Sequence, residues 1–409
     1  MSRNRRSIAS AIVAGFFTVT LAPLGASAQE AQGTLFYTRF QIENVPNEGT
    51  IGNGEVKKVD FSYDGVNTVT FTNKVLIKDL GAQQSSADGI VFAPDGDLLV
   101  AAGGQSSGGR VHKIDPSTGA IVETRSSGTG GAFHLAIDPS QTRFFSIGET
   151  SNASNSQGVP GPLSSFPLPF QTGVHGTPKT LTGDDPKITS IAFVGDNVFY
   201  TSNFNAGPGS FGRIDLDTGV TNRLLSNVPA AHAMVFDPFT GDLLLSGVDH
   251  VTQINVDDPN NPSIVGDLDL TIPTDSGFLG DVDDKFDQLA VDGQGHLFAM
   301  VQNGNVFFLD YSTSGDVDAG DFSSFLLLEE GGYLSGVAPL AGPGSLPGTN
   351  GGGNDGGGND GGGDDGGETD GGSNGEPPVI PLPVAAWPAL SLLGAIGIAK
   401  KLGRRRSGN

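Results

Sequence analysis

The sequence predicts an all-β domain, and three observations predict it. Between Ala31 and Leu340 there is no long stretch of helical periodicity. Short apolar runs alternate there with Gly, Pro, Asn and Asp, the residues that turns require. One unit of sequence also recurs along the whole stretch, which is the mark of a repeat architecture.

The first unit reads DGIVFAPDGDLLVAAG followed by RVHKIDPSTGAIVET, from Asp88 to Thr124. Further copies begin at His134 (HLAIDPSQTRFFSIGE), Ile188 (ITSIAFVGDNVFYTSN), His232 (HAMVFDPFTGDLLLSG) and Asp287 (DQLAVDGQGHLFAMV). In each copy an apolar strand runs into an Asp-Pro, Pro-Asp-Gly, Gly-Asp-Asn or Asp-Gly turn. A second strand follows, then a third ending in Asp, then a Thr-Gly type turn and a fourth. Prolines and glycines fall in the turns and not within the strands. Four antiparallel strands in roughly 45 to 55 residues make the blade of a β-propeller.

The innermost strands count the blades. Their central residues are Ile90, Leu135, Ile191, Met234 and Leu289, and a sixth copy, YLSGVAPL, centres on Gly336 with no strands after it. The N-terminal region supplies what that copy lacks. Thr34–Phe40, Gly54–Phe61 and Val69–Leu80 read as three outer strands without an inner one. Residues 333–340 therefore complete the first blade, and pairing of the chain ends closes a six-bladed ring without an open sheet edge. A seventh blade would have to lie in the irregular stretches 150–187 or 257–285. The blade rhythm resembles the six-bladed group that includes NHL-repeat, SMP-30/gluconolactonase-like and TolB-like proteins. The resemblance covers the middle region and implies a fold and not a substrate.

The two ends carry addresses. Arg3, Arg5 and Arg6 precede an apolar run from Ile8 to about Leu24, and Ala26-Ser27-Ala28 follows. That is the layout of a signal peptide over residues 1–28, with the mature chain starting near Gln29 and an export translocon as partner. The propeller is expected over 29–343. Residues 344–378, rich in Gly, Asn and Asp, lack the apolar content for a core and are expected to form a disordered, acidic linker. Residues 379–409 then give an apolar run, long enough to span a bilayer as a helix, and the basic cluster Lys400, Lys401, Arg404, Arg405 and Arg406. That cluster is expected to stay cytoplasmic. A plain C-terminal anchor has these features too. The short Pro381-Leu382-Pro383 signature ahead of the helix, with Ile380 and Val384 beside it, resembles the VPLPA variant of PEP-CTERM sorting signals. Val384 departs from the Ala of that motif. The resemblance implies a membrane sorting enzyme, an exosortase, as partner. It places the protein in the inner membrane facing outward, then at the cell surface or outside the cell after processing.

Charge narrows the partners. The formal net charge is −23, from 22 basic and 45 acidic residues. Eight of the basic residues sit in the signal and tail, which hold no acids, so the part facing outward carries 14 against 45, a net of −31. Such a surface repels nucleic acid and excludes it as a partner. With no cysteine in 409 residues, thiol catalysis, cysteine-based zinc sites and lipid attachment through cysteine are excluded. An exported domain of this kind is held by its core alone.

Equivalent positions on the innermost strands form rings about the channel. One ring holds Gly89, His134, Ser190, Ala233, Gln288 and Ser335. The ring one residue earlier holds Asp88, Phe133, Thr189, His232, Asp287 and Leu334. Asp88, His134, His232 and Asp287 are the candidate channel-mouth ligands, two imidazoles and two carboxylates suited to a divalent cation acting as a Lewis acid on a lactone or ester. The starts of inner strands are commonly polar because they face a wet channel, and that accounts for these four residues more simply. No Glu and Asn pair stands in the inner strands, a departure from the gluconolactonase-like pattern. Asp316, Asp318 and Asp321 echo a calcium loop but lack its turn glycine and closing Glu. GDVDDKFD, ending at Asp287, reads as another acidic turn. The favoured reading is a non-catalytic, monomeric surface propeller, without a cofactor, that binds a protein or polysaccharide of the envelope or matrix. The alternative is an exported metal-dependent lactonase or esterase with a divalent cation in the channel.

Overall fold

Alternation of apolar and turn residues builds six antiparallel sheets arranged as blades around one axis. The computed structural model describes residues 29–345 except 46–48, 82–86, 103–108, 128–130, 152–157, 171–173, 186–187, 203–207, 274–284 and 331–332. The expected signal peptide, nearly all of the linker and the expected spanning helix lie outside the described residues. Among the described residues no helix is long and apolar enough to cross a membrane.

Blade 1 combines β1 (Ala31–Val45), β2 (Gly49–Tyr63) and β3 (Val69–Gly81) with the last strand, β25 (Tyr333–Val337). Blade 2 is β4 (Ala87–Phe92), β5 (Leu98–Ala102), β6 (Arg110–Ile114) and β7 (Ile121–Ser126). Blade 3 is β8 (Gly131–Ile137), β9 (Arg143–Ser151), β10 (Gly158–Pro167) and β11 (Thr177–Lys179). Blade 4 runs β13 (Ser190–Val194), β14 (Asn197–Ser202), β15 (Gly209–Ile214) and β16 (Val220–Val228), with a short parallel fifth strand, β12 (Thr182–Gly183), outside β16. Blade 5 is β17 (Ala233–Phe236), β18 (Leu243–Gly247), β19 (His250–Asn255) and β20 (Ser263–Asp269). Blade 6 is β21 (Phe286–Val291), β22 (His296–Val301), β23 (Asn305–Asp310) and β24 (Phe322–Leu327).

The ring closes as expected. β25 pairs antiparallel with β1, setting Val337 opposite Tyr37 and Tyr333 opposite Phe40. Among the described residues neither irregular stretch makes a seventh blade. The first supplies β10, β11 and β12 as outer strands, and the second supplies β20. Beyond β25 the chain stays on the ring, where the Gly344 carbonyl accepts from Phe92 N at 2.8 Å.

Because side chains of a strand point alternately to its two faces, each blade feeds both of its neighbours. In blade 2, Ile90, Phe92, Leu98 and Val100 pack toward blade 1, while Val91, Leu99, Ala101 and Val111 pack toward blade 3. The same alternation produces six apolar clusters, one at every junction of the ring. Inner and middle strands are buried on both faces, as in HLFAMV of β22. Outer strands such as IVETRS of β7 are largely exposed. Near the axis the inner strands approach so closely that side chains are excluded. A Cβ on Gly89 would lie 2.3 Å from the Phe133 carbonyl oxygen, and one on Gly336 would lie 2.1 Å from that of Asp88.

The third-to-fourth and first-to-second strand turns all fall on one face, since successive strands reverse direction. An Asp opens many of them. Asp64 Oδ1 accepts from the amides of Val66, Asn67 and Thr68, and Asp115 Oδ1 accepts from those of Ser117 and Thr118. Asp215 and Asp237 do the same in later blades. These are Asx turns, in which the carboxylate replaces backbone acceptors that the reversal cannot supply.

Candidate functional site

At three junctions of the ring a hydroxyl of the second strand reaches across to the next blade. Thr38 Oγ1 donates to the Asp88 carbonyl at 2.6 Å, Thr201 Oγ1 to that of His232 at 3.4 Å, and Ser246 Oγ to that of Asp287 at 2.7 Å. Asp88, His232 and Asp287 thus hold one position in the ring, on blades 2, 5 and 6. His134, on blade 3, belongs to the next position along its strand. β8 breaks register between Ala132 and His134, and β21 does so between Phe286 and Leu289. Irregularities of this kind re-aim side chains at the rim of a sheet.

The result brings three of the four candidates together. One ligand atom each from His134, His232 and Asp287 lie within 4.8 Å of one another, and all three residues are buried. The two imidazoles meet edge to face with ring centroids 5.3 Å apart. Asp88 is buried but does not join the group. The level is crossed by a fourth side chain. Gln288 of blade 6 donates through Nε2 to the Phe133 carbonyl of blade 3, the opposite blade, at 3.3 Å.

The surroundings set the charge states. Burial lowers the His134 pKa well below the ordinary imidazole value, and the neighbouring His232 lowers it further. Burial also lowers His232, opposed by the Asp287 carboxylate. Asp287 is raised by burial, with His232, the Gln302 hydrogen bond and Lys285 pulling the other way. His232 Nδ1 lies 3.4 Å from the Phe286 carbonyl oxygen. A carbonyl only accepts, so this nitrogen carries the proton and the ring's lone pair stands on Nε2. Gln302 Nε2 donates to Asp287 Oδ2 at 3.2 Å and orients that carboxylate. For His134 no side-chain hydrogen bond is found among the described residues.

Sequence reasoning placed Gln288 in the ring of His134 without giving it a role, and it missed Gln302. Glutamine carries no motif, and only the fold reveals that Gln288 meets a carbonyl 155 residues away. The candidate calcium loop is used otherwise. Asp316 caps a short 3-10 turn (Val317–Ala319) by accepting from Asp318 N, Asp318 accepts from Asp267 N, and Asp321 accepts from Thr313 N. A second group, Asp249, His250 and Asp269, sits near the surface of blade 5. There both imidazole nitrogens already face carboxylates, Asp267 at 3.2 Å and Asp249 at 3.4 Å.

No family model matches the sequence, and no curated protein matches it. Among solved structures the chain is similar to the Dos1 propeller, at 13% identity and a TM-score of 0.39 over 64% of each chain. It therefore spans less than two thirds of that chain's length. It is also similar to hydrazine synthase of Kuenenia stuttgartiensis, at 14% identity and a TM-score of 0.41, covering 72% of this chain and 80% of that one. At those scores neither structure bears on what this chain does.

Proposed function

We infer that this chain is an exported binding module, a closed six-bladed ring that engages a protein or polysaccharide of the envelope or extracellular matrix. Its tail holds it in the inner membrane, facing outward, until an exosortase acts at Pro381-Leu382-Pro383. The observation that carries the non-catalytic reading is the burial of the polar group on the axis. His134, His232 and Asp287 are each less than 10% exposed, and Gln288 bridges opposite blades at the same level. A hydrolase of the propeller type needs its metal open to substrate in a concave pocket. These side chains instead meet one another, which leaves recognition to the faces and outer strands. The excess of acid on the exported part favours neutral polymers and basic protein surfaces over anionic ones.

A second reading draws on the same three residues. If the axis opens to substrate, two imidazoles and a carboxylate suit a metal-dependent lactonase or esterase. The full chain, purified with and without added divalent metal, is to be assayed against lactones and aryl esters, and in parallel for retention on isolated envelope polysaccharide and peptidoglycan-associated protein. Saturable retention without turnover is the expected result. Metal-dependent turnover that is lost in Asp287→Asn would replace the binding reading with the hydrolase.

A further inference from the structure

We propose that His134, His232 and Asp287 hold one zinc ion on the propeller axis and so join blades 3, 5 and 6. The three residues come from three blades that share no strand pairing, yet their ligand atoms converge within 4.8 Å. Zinc–ligand bonds of about 2.0–2.2 Å set neighbouring ligand atoms about 3.4 Å apart, so small side-chain rotations complete the coordination.

The supporting shell is built for a metal. Ligating histidines commonly donate their other ring nitrogen to a backbone carbonyl, and ligating carboxylates are themselves hydrogen-bonded. His232 does the first through Nδ1 on Phe286, and Asp287 does the second through Gln302. A plain hydrogen-bonded core group accounts for those two residues but not for His134. That ring is buried, touches His232 edge to face, and lacks a side-chain hydrogen bond among the described residues. Its ligand atom nonetheless converges with those of His232 and Asp287 within 4.8 Å, and an ion at the centre of the three binds all of them.

The donor set selects the metal. Calcium and magnesium take oxygen ligands, whereas two imidazoles and one carboxylate suit a borderline first-row ion. Zinc tolerates this set, is redox-inert, and takes water as its fourth ligand. In a domain without cysteine, such a centre ties distant parts of the chain as a disulfide does elsewhere. The inference does not depend on what the outer faces bind.

The full chain, purified in mild detergent and stripped with EDTA, is to be titrated with zinc alone. Bound metal is counted by elemental analysis, thermal melting follows stability, and cobalt in place of zinc reports the ligands by visible absorption. One ion per chain and a melting temperature that rises with zinc are expected. His134→Leu and Asp287→Asn should each weaken zinc by more than the roughly 10–100-fold that loss of an outer-shell partner costs. His250→Asn, which alters the surface group on blade 5, should leave binding unchanged. Should His134→Leu not fold, Asp287→Asn decides, since it keeps the size of the side chain and its bond from Gln302. Zinc absent at stoichiometric level, binding that survives Asp287→Asn, or binding lost in His250→Asn would each overturn the proposal.

Discussion

Glu329 shows how much a single carboxylate can organise. It follows β24 of blade 6, and its side chain is buried against blade 1. There Oε1 accepts from Tyr37 at 2.6 Å and from Lys57 at 2.7 Å, with Lys74 at 3.5 Å, while Oε2 faces Arg39 at 3.6 Å. Burial pushes its pKa up, but Lys57, Tyr37 and Lys74 hold it below the usual value. Removing one partner of a buried ion group leaves the others uncompensated. Glu329→Gln is therefore expected to destabilise the domain by on the order of 3 kcal/mol in denaturant titration. Two histidines bend the pH profile in opposite directions. Burial, aided by Arg110 and Lys78, pushes His112 down to about 4, so the unfolded chain takes up its proton first. Its contribution is whole above pH 6.5 and fades as pH falls from there toward 4, at most about 1.4 kcal/mol per pH unit. For His296 burial acts downward, but the Asp292 carboxylate at 2.6 Å and Asp310 raise its pKa overall. That contribution is whole below pH 6.5 and is lost as pH rises through the folded value. Melting curves across pH should show a shallower acid limb in His112→Gln and a flatter alkaline limb in His296→Gln.

At the scale of the element, the recurring device is the second-strand hydroxyl that reaches the inner strand of the next blade. Ser246 is fully buried and satisfies the Asp287 carbonyl, so Ser246→Ala strands that acceptor. The expected cost is about 1–2 kcal/mol, read as a lowered denaturation midpoint with an unchanged slope. Much of the element pattern was legible in the sequence. Asp-Pro, Asp-Gly and Thr-Gly turns stand at the ends of apolar runs, and those runs became the inner three strands of each blade. Outer strands were harder to read, because β20 and β11 are short or exposed and carry little apolar periodicity. The parallel strand β12 left no trace in the repeat. Site residues followed the same divide. The ring position shared by Asp88, His232 and Asp287 follows from the repeat alone. The shift that turns His134 toward them depends on an irregularity in β8 that no apolar pattern records. Gln288 and Glu329 have partners that only the assembled ring brings near, and Gln302 meets Asp287 across its own blade.

Over the whole molecule, the acidity is largely architectural. Asp64 and Asp115 are each held down to about 2 by the hydrogen bonds of their own turns, Thr68 and Asn67 for the first and Ser117 and Thr118 for the second. Asp138, Asp215, Asp237 and Asp292 serve turns on the same face. Each repeat of the blade thus adds carboxylates whether or not a ligand needs them, and the net charge by itself is weak support for a cation-binding surface. Closure is the other global property. A chain ending at residue 330 would leave blade 1 without β25, with the apolar surfaces of Leu35, Tyr37 and Phe298 uncovered on the axial side. Such a chain is expected to aggregate and to be cut rapidly by protease, whereas a chain ending at 345 should resist both; limited proteolysis followed by size-exclusion chromatography tells them apart.

The pairing of β1 with β25 also has a consequence in time. The strand that begins the domain waits for a partner made some 300 residues later. Five blades can assemble locally as the chain emerges, each from consecutive strands, but the first stays an incomplete sheet until residue 337 is free. The ring is therefore an open arc for nearly the whole of synthesis. Closure, with the burial of Glu329 among its lysines, comes as the final event, just before the chain passes into its tail.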